Sequence, residues 1–333
     1  MRQIKIDNDL KIKAEAFCSM LFQRPDTTLQ QVVPRLEKLR DNFRPRKHAN
    51  YRQYLQLIID NYDALLRATP IEMMNWIGQF EAILPQSLLK VNLPFKKKKF
   101  HETIVHALRY SDLQEYEFPN FLKTTQNKTC VYCNSQLSIV VEIEYYDAKK
   151  KKKAKKAYPR FEIDHYHPKS VYPYLATSFY NLYPCCGNCN RIKQDKKAQF
   201  QLYTESDNLD LFRFWIDDND VLKYYTSTQN SDIKIWFESL NGDFQLLNNH
   251  NKLFMVQAIA DKQVDIAEEL LLKSKLYTPA YKKNLVDSLG KIFPDTTIID
   301  RLIVGNYTAP EDVHKRPMAK LTQDIARQLK LIK

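Results

Sequence analysis

Residues 161–193 read FEIDHYHPKSVYPYLATSFYNLYPCCGNCNRIK, and the reading of this stretch decides what the rest of the chain is for. It sets an acid–imidazole pair, Asp164-His165, at the end of a short β-prone run and closes on Cys186-x2-Cys189, which matches Cys130-x2-Cys133 upstream. A carboxylate beside an imidazole can ligate a divalent cation and deprotonate water, the chemistry of metal-assisted phosphodiester hydrolysis.

Each two-residue gap lets a tight turn aim both thiolates of a pair at one ion. Four sulfurs at about 2.3 Å make a closed tetrahedral zinc site with no position for substrate. Cys130, Cys133, Cys186 and Cys189 are therefore expected to hold a structural Zn²⁺, which places any catalysis elsewhere. Cys185 and Cys18 are left over from that count and read as packing residues. The alternative for all six is burial as small apolar side chains.

The chain of 333 residues carries 51 Lys plus Arg against 39 Asp plus Glu, a formal charge of +12. Eleven lysines sit in two short runs, Lys96 to Lys99 and Lys149, Lys150, Lys151, Lys152, Lys153, Lys155 and Lys156. Such clusters read as polyanion-binding surface, the bland alternative being solvated loops that aid solubility. Lys169 and Lys193, with Lys196 and Lys197, flank the acid–imidazole pair as further candidates for phosphate contact. No apolar leader and no apolar run of membrane-spanning length is present, so a cytoplasmic protein without a membrane partner is expected. In a reducing compartment paired cysteines favour a metal over disulfides.

Five glycines in the whole chain argue against Gly-rich phosphate loops and many tight hairpins, and favour helices. Leu55, Ile58, Ile59, Tyr62 and Leu65 recur on one helical face, with breaks near Pro25, Pro45, Pro70 and Pro85. The expected organisation is a helical region over 1–112, a module over 113–200 carrying the chemistry, and a region over 201–333 of short strands (211–216 and 233–237) followed by helices. Those helices are expected from about Asn248, over 278–291 and over 312–331. Within the middle module, 137–145 alternates Ile139, Val141, Ile143 and Tyr145 against Glu142 and Glu144, a half-buried strand. Tyr158 to His165 is expected to return as its hairpin partner, with the lysines at the tip. On a regular strand Asp164 and His165 point to opposite faces, so both serve one phosphate only if the strand ends or twists near Pro168.

The order Asp164, His165, Pro168, Asn181, Cys186, Cys189, Asn190, Lys193 resembles the HNH endonuclease family, over about residues 120–200. The resemblance implies an α+β protein, mainly helical, with a central ββα-metal module and a small additional β segment. It implies His165 as general base and Asp164 and Asn190 as ligands of a catalytic Mg²⁺ or Mn²⁺. Asn181 would pin the loop beside them, and His167 is a weaker candidate for a direct role. Asn190 stands where the family's final histidine lies, which favours a hard ion. An unperturbed imidazole is largely neutral at pH 7 and can accept a proton. The ending VHKRPMAKLTQDIARQL also looks like HNH proteins encoded beside ATPases in bacterial anti-phage systems such as Septu, which implies an ATPase partner that gates cleavage. The expected function is hydrolysis of DNA. The alternatives are a zinc-dependent nucleic-acid-binding module without catalysis, and an RNase acting on tRNA.

Overall fold

The computed structural model describes residues 1–21, 23, 31–93, 97–147, 152–289 and 296–333. Lys96, Lys149, Lys150, Lys151 and Pro25 lie outside them. Apolar residues at helical spacing give the first third a succession of helices, Asn8–Met20, Val32–Asp41, Ala49–Asp60, Tyr62–Arg67 and Pro70–Ile83, and later Phe100–Ala107 and Phe118–Thr124. The face running from Leu55 to Leu65 is divided: one helix stops at Asp60 and the next starts at Tyr62. Pro70 opens a helix rather than breaking one. Its missing N–H falls where no intrahelical partner exists, and Thr69 with Glu72 closes a capping box over the first turn.

Eight short strands among the described residues form four two-stranded ladders. β1 (Ile4–Lys5) runs parallel to β6 (Tyr203–Thr204), tying the start of the chain to the segment that follows the second cysteine pair. β2 (Ile139–Asp147) and β3 (Lys152–Arg160) form the long hairpin. β4 (Glu162–His165) pairs antiparallel with β5 (Leu182–Cys185), and β7 (Phe212–Ile216) with β8 (Ile235–Ser239).

Two expectations for the hairpin are corrected. The strand carrying Asp164 and His165 is not its return strand: pairing with β2 ends at Arg160, and β4 turns away to pair with β5. Lys152, Lys153, Lys155 and Lys156 therefore lie on β3 itself and not in a tip loop. Nor is β2 half-buried. Residues 141 to 146 are all exposed, because a two-stranded ribbon offers no second layer to bury a face against.

Beyond β8 the helices are Phe244–Phe254, Val256–Ala260, Val264–Leu276, Pro279–Leu289, Thr296–Val304 and Ala319–Gln328. The helix expected from Asn248 starts at Phe244, where Asp243 caps it through the Leu246 N–H. Thr296–Val304 was not anticipated, and 312–331 is helical only over its second half. One buried cluster, from Met1 through Leu55, Leu182 and Phe212 to Ile332, underlies all of these elements. No described helix is long and apolar enough to cross a membrane.

Candidate metal centre and acid–imidazole site

The Sγ atoms of Cys130, Cys133, Cys186 and Cys189 lie within 4.8 Å of one another, and all four residues are buried. Each pair is folded locally for this purpose. Asn134, in the left-handed region at φ 54°, turns the chain after Cys133, and its N–H donates to the Cys130 carbonyl. Cys186 caps the helix Gly187–Lys193, which returns Cys189 to the same side. Four mutually close buried thiols have little else to satisfy them. Burial pushes the Cys130 thiol well above its ordinary value, which a soft divalent cation such as zinc would reverse by taking the thiolates as ligands. Cys185 points elsewhere and donates to the Glu162 carbonyl at 3.6 Å.

The first knuckle is anchored to two other parts of the chain. The Val131 N–H donates to Pro184 O on β5 at 3.3 Å. The Asn134 amide donates to Val313 O at 2.8 Å, and its Oδ1 accepts from the Lys320 N–H at 2.9 Å. A metal here would clamp the C-terminal helix to the β4–β5 ladder.

β4, the 166–181 loop, β5 and the helix Gly187–Lys193 form a strand–loop–strand–helix unit around the acid–imidazole pair. The helix lies close against β4: a Cβ at Gly187 would stand 2.8 Å from Glu162 Oε1. Asn181, wholly buried, ties the loop together. Its Oδ1 accepts from the His167 N–H at 2.7 Å, and its Nδ2 donates to His167 O at 3.1 Å and Leu175 O at 2.9 Å.

Asp164 and His165 do face opposite ways. Asp164 is turned toward the helix, where Lys193 Nζ donates to Oδ1 at 3.0 Å and the Tyr132 hydroxyl donates to Oδ2. His165 is turned toward Tyr110, its ring 4.9 Å from the tyrosine ring, and its Nε2–H donates to Ala176 O at 3.0 Å. Strand alternation places them so, and the strand ends at His165 without twisting both onto one side.

This geometry corrects the assignments of Asp164 and Lys193. Asp164 does not present a free carboxylate to a hard cation, since an ammonium and a phenol already occupy its oxygens. Asn190 is held by a contact of its own, its Nδ2 donating to Glu162 Oε2 at 2.7 Å. Lys193 has no exposed surface and donates to the His165 carbonyl at 2.9 Å as well as to Asp164, so it is no surface contact for phosphate. With its carboxylate so engaged, Asp164 does not fit as the ligand of a Mg²⁺ or Mn²⁺ ion.

Three histidines share one arrangement, a buried ring whose Nε2–H donates to a backbone carbonyl: His165 to Ala176, His250 to Tyr132 and His314 to Arg2. Burial lowers each to about 3, so all are neutral, and His165 is not the unperturbed imidazole expected from its sequence. The Nδ1 atoms of His250 and His314 are buried without a partner. In His165, itself 4% exposed, Nδ1 is the ring nitrogen that the Ala176 contact does not engage.

Beside it, Lys169 Nζ lies 4.2 Å over the Tyr110 ring. Burial lowers the Lys169 pKa, and no carboxylate pairs with it among the described residues. The Tyr110 hydroxyl is buried without a hydrogen-bond partner. His167 is held differently, with its ring edge-on to Tyr166 and Tyr172 and its pKa lowered to about 4 by burial. A cleft of about 810 Å³ separates the hairpin from the helix Phe118–Thr124, bordered by Lys123, Lys155 and Pro159 and reaching Ile163 on β4.

Tyr132, Tyr110 and Glu162 were not singled out from the sequence. Tyr132 had one available signal, its position between two metal-type cysteines, where a side chain turned from the metal must meet the next element. Compared with protein-family models, curated proteins and solved structures, the chain matches none.

Proposed function

We propose that the chain is an HNH-type endonuclease that hydrolyses DNA phosphodiester bonds, with His165 as general base and the four-cysteine zinc as a structural clamp. The observation that carries this reading is the state of His165. Anchoring Nε2–H on a carbonyl fixes the tautomer and leaves Nδ1 as the proton acceptor, which is what deprotonating a water requires. Burial holds its pKa at about 3, and an anionic phosphodiester beside the ring would raise it.

Lys169 supplies the second part of the argument. A half-buried ammonium that feels Asp164 and Asp195 but forms an ion pair with neither can still take an anion, and a phosphate oxygen is suited to that place. The strand–loop–strand–helix order of β4, β5 and Gly187–Lys193 agrees with the ββα architecture the family resemblance implies. No step is routed through a catalytic metal, because the Asp164 carboxylate is otherwise engaged. A role in anti-phage defence beside an ATPase is part of this proposal and rests on the motif order within a long helical frame and on the C-terminal sequence.

The test is cleavage of supercoiled plasmid, single-stranded DNA and tRNA by the wild type and His165→Ala, each with Mg²⁺, Mn²⁺ or EDTA. The reading expects DNA cutting that His165→Ala loses while keeping its zinc. Cutting confined to tRNA would make the chain an RNase. Zinc-loaded wild type that binds DNA and cuts nothing would leave a binding module.

A further inference from the structure

β2 leaves its alternating apolar residues uncovered. Val141, Ile143 and Tyr145 are 38%, 52% and 46% exposed, while Glu142 on the opposite face meets Lys123 of the helix Phe118–Thr124 at 2.6 Å. The β2–β3 register sets Tyr158 opposite Val141, Lys156 opposite Ile143 and Arg160 opposite Ile139. Alternation along both strands therefore gathers Ile139, Val141, Ile143, Tyr145, Lys156, Tyr158 and Arg160 on one face of the ribbon. Apolar sheet faces are ordinarily covered, and one left open marks a binding surface.

Charge identifies the occupant. Glu142 and Glu144 lie on the other face, where Lys123 and Lys155 neutralise them at 2.6 and 3.2 Å. From Ile139 to Tyr145 this face carries no carboxylate, the nearest in the register being Asp147 at its far end opposite Lys152, and its Lys156 and Arg160 have no acidic partner among the described residues. Lys156 stands in the middle of the patch with its Nζ 5.1 Å from the Tyr158 ring centroid. Lysine is depleted from the centres of protein–protein interfaces, whereas cations interleaved with aromatic rings suit a strand that brings phosphates and base faces together.

We propose that this face of the β2–β3 ribbon is a platform for single-stranded nucleic acid, with bases stacked on Tyr145 and Tyr158 and the backbone held by Lys156 and Arg160. The proposal rests on the endonuclease reading for the identity of the polyanion, and its geometry is independent of His165. It gives the enzyme an arm that captures unpaired strand, next in sequence to the strand that carries the general base.

The experiment measures fluorescence anisotropy of a labelled oligothymidylate and of a duplex, in the His165→Ala background so that cleavage does not intrude. Tyr145→Ser with Tyr158→Ser is expected to weaken oligothymidylate binding about tenfold per ring and to change duplex binding little. Lys156→Glu is expected to weaken both. Unchanged oligothymidylate binding in the tyrosine variant overturns the proposal, as does an equal loss on duplex, which would make the arm a charge platform without stacking. A change in hydrodynamic size with normal binding also overturns it, by showing a protein interface. Cleavage is scored separately on the otherwise wild-type chain. Tyrosine-dependent binding with no cleavage keeps this inference and removes the nuclease reading; cleavage with tyrosine-independent binding does the reverse.

Discussion

Lys193 Nζ sits 3.0 Å from Asp164 Oδ1, and the two side chains are 0% and 5% exposed. The same ammonium donates to the His165 carbonyl, so one lysine joins the helix after the second cysteine pair to both residues of the acid–imidazole pair. A carboxylate that would otherwise be buried alone is compensated by an ammonium, a phenol and its neighbour's N–H, and the tip of β4 is fixed in place. Lys193→Met removes that compensation and is expected to destabilise the fold by about 3–5 kcal/mol. Adding Asp164→Asn should recover a good part of it. Urea unfolding of both single variants and the double variant measures the coupling, and strict additivity would mean the pair is not a unit.

The zinc clamp makes a separate prediction. One zinc per chain is expected by elemental analysis, and Cys130→Ser or Cys189→Ser should abolish it. The loss should reach past the knuckle, since Val131 holds β5 and Asn134 holds the segment from Val313 to Lys320. Hydrogen exchange in the helix Ala319–Gln328 should therefore rise when a chelator strips the metal. Full protection of that helix in metal-free protein would show that thiol packing alone suffices.

How much of this was legible in the residues depended on how local the cause was. The four cysteines were found because metal chemistry constrains spacing, and β7 and β8 because their apolar runs are short and isolated. The opposed faces of Asp164 and His165 followed from strand alternation alone. What failed was what pairs with what. An alternating segment next to a β-prone one invites a hairpin, but no local signal at Phe161 says that pairing stops and β4 turns to β5. The ligand reading of Asp164 failed for a related reason: Lys193 lies on a helix whose packing against β4 is tertiary, and a lysine beside a candidate nuclease site reads first as a phosphate contact. The exposed face of β2 broke the rule that apolar alternation means burial, as binding surfaces do.

Acid should destabilise the fold through its histidines. His165, His250 and His314 are held to about 3 by burial, against an ordinary value near 6.5 for the unfolded chain. Between those values the unfolded state binds more protons than the native state, so stability rises with pH across the window and is lost as pH falls through it. The slope is about 1.4 kcal/mol per pH unit for each histidine that stays neutral. Urea unfolding between pH 7 and 5, with zinc content checked at each point, reads it. A flat profile in zinc-loaded protein would mean that these rings protonate in place.

Lys169 offers the sharpest test of the niche beside His165, because its charge acts in two separable ways. It is available to an anion, with no carboxylate partner among the described residues and its Nζ 4.2 Å over Tyr110. It also lowers the His165 pKa, second to burial itself. Lys169→Met keeps the aliphatic stem that packs there and removes only the charge. Substrate should then bind more weakly, by about tenfold if a buried ammonium–phosphate contact of about 1.5 kcal/mol is lost. The acidic limb of the cleavage rate against pH should move to higher pH, because His165 protonates more readily without a cation beside it. Lys169→Arg should restore the limb even where its longer fork leaves affinity incomplete. A merely structural lysine would lower activity at every pH alike, so an unmoved acidic limb in Lys169→Met would remove Lys169 from the site while leaving the role of His165 to be judged on its own variant.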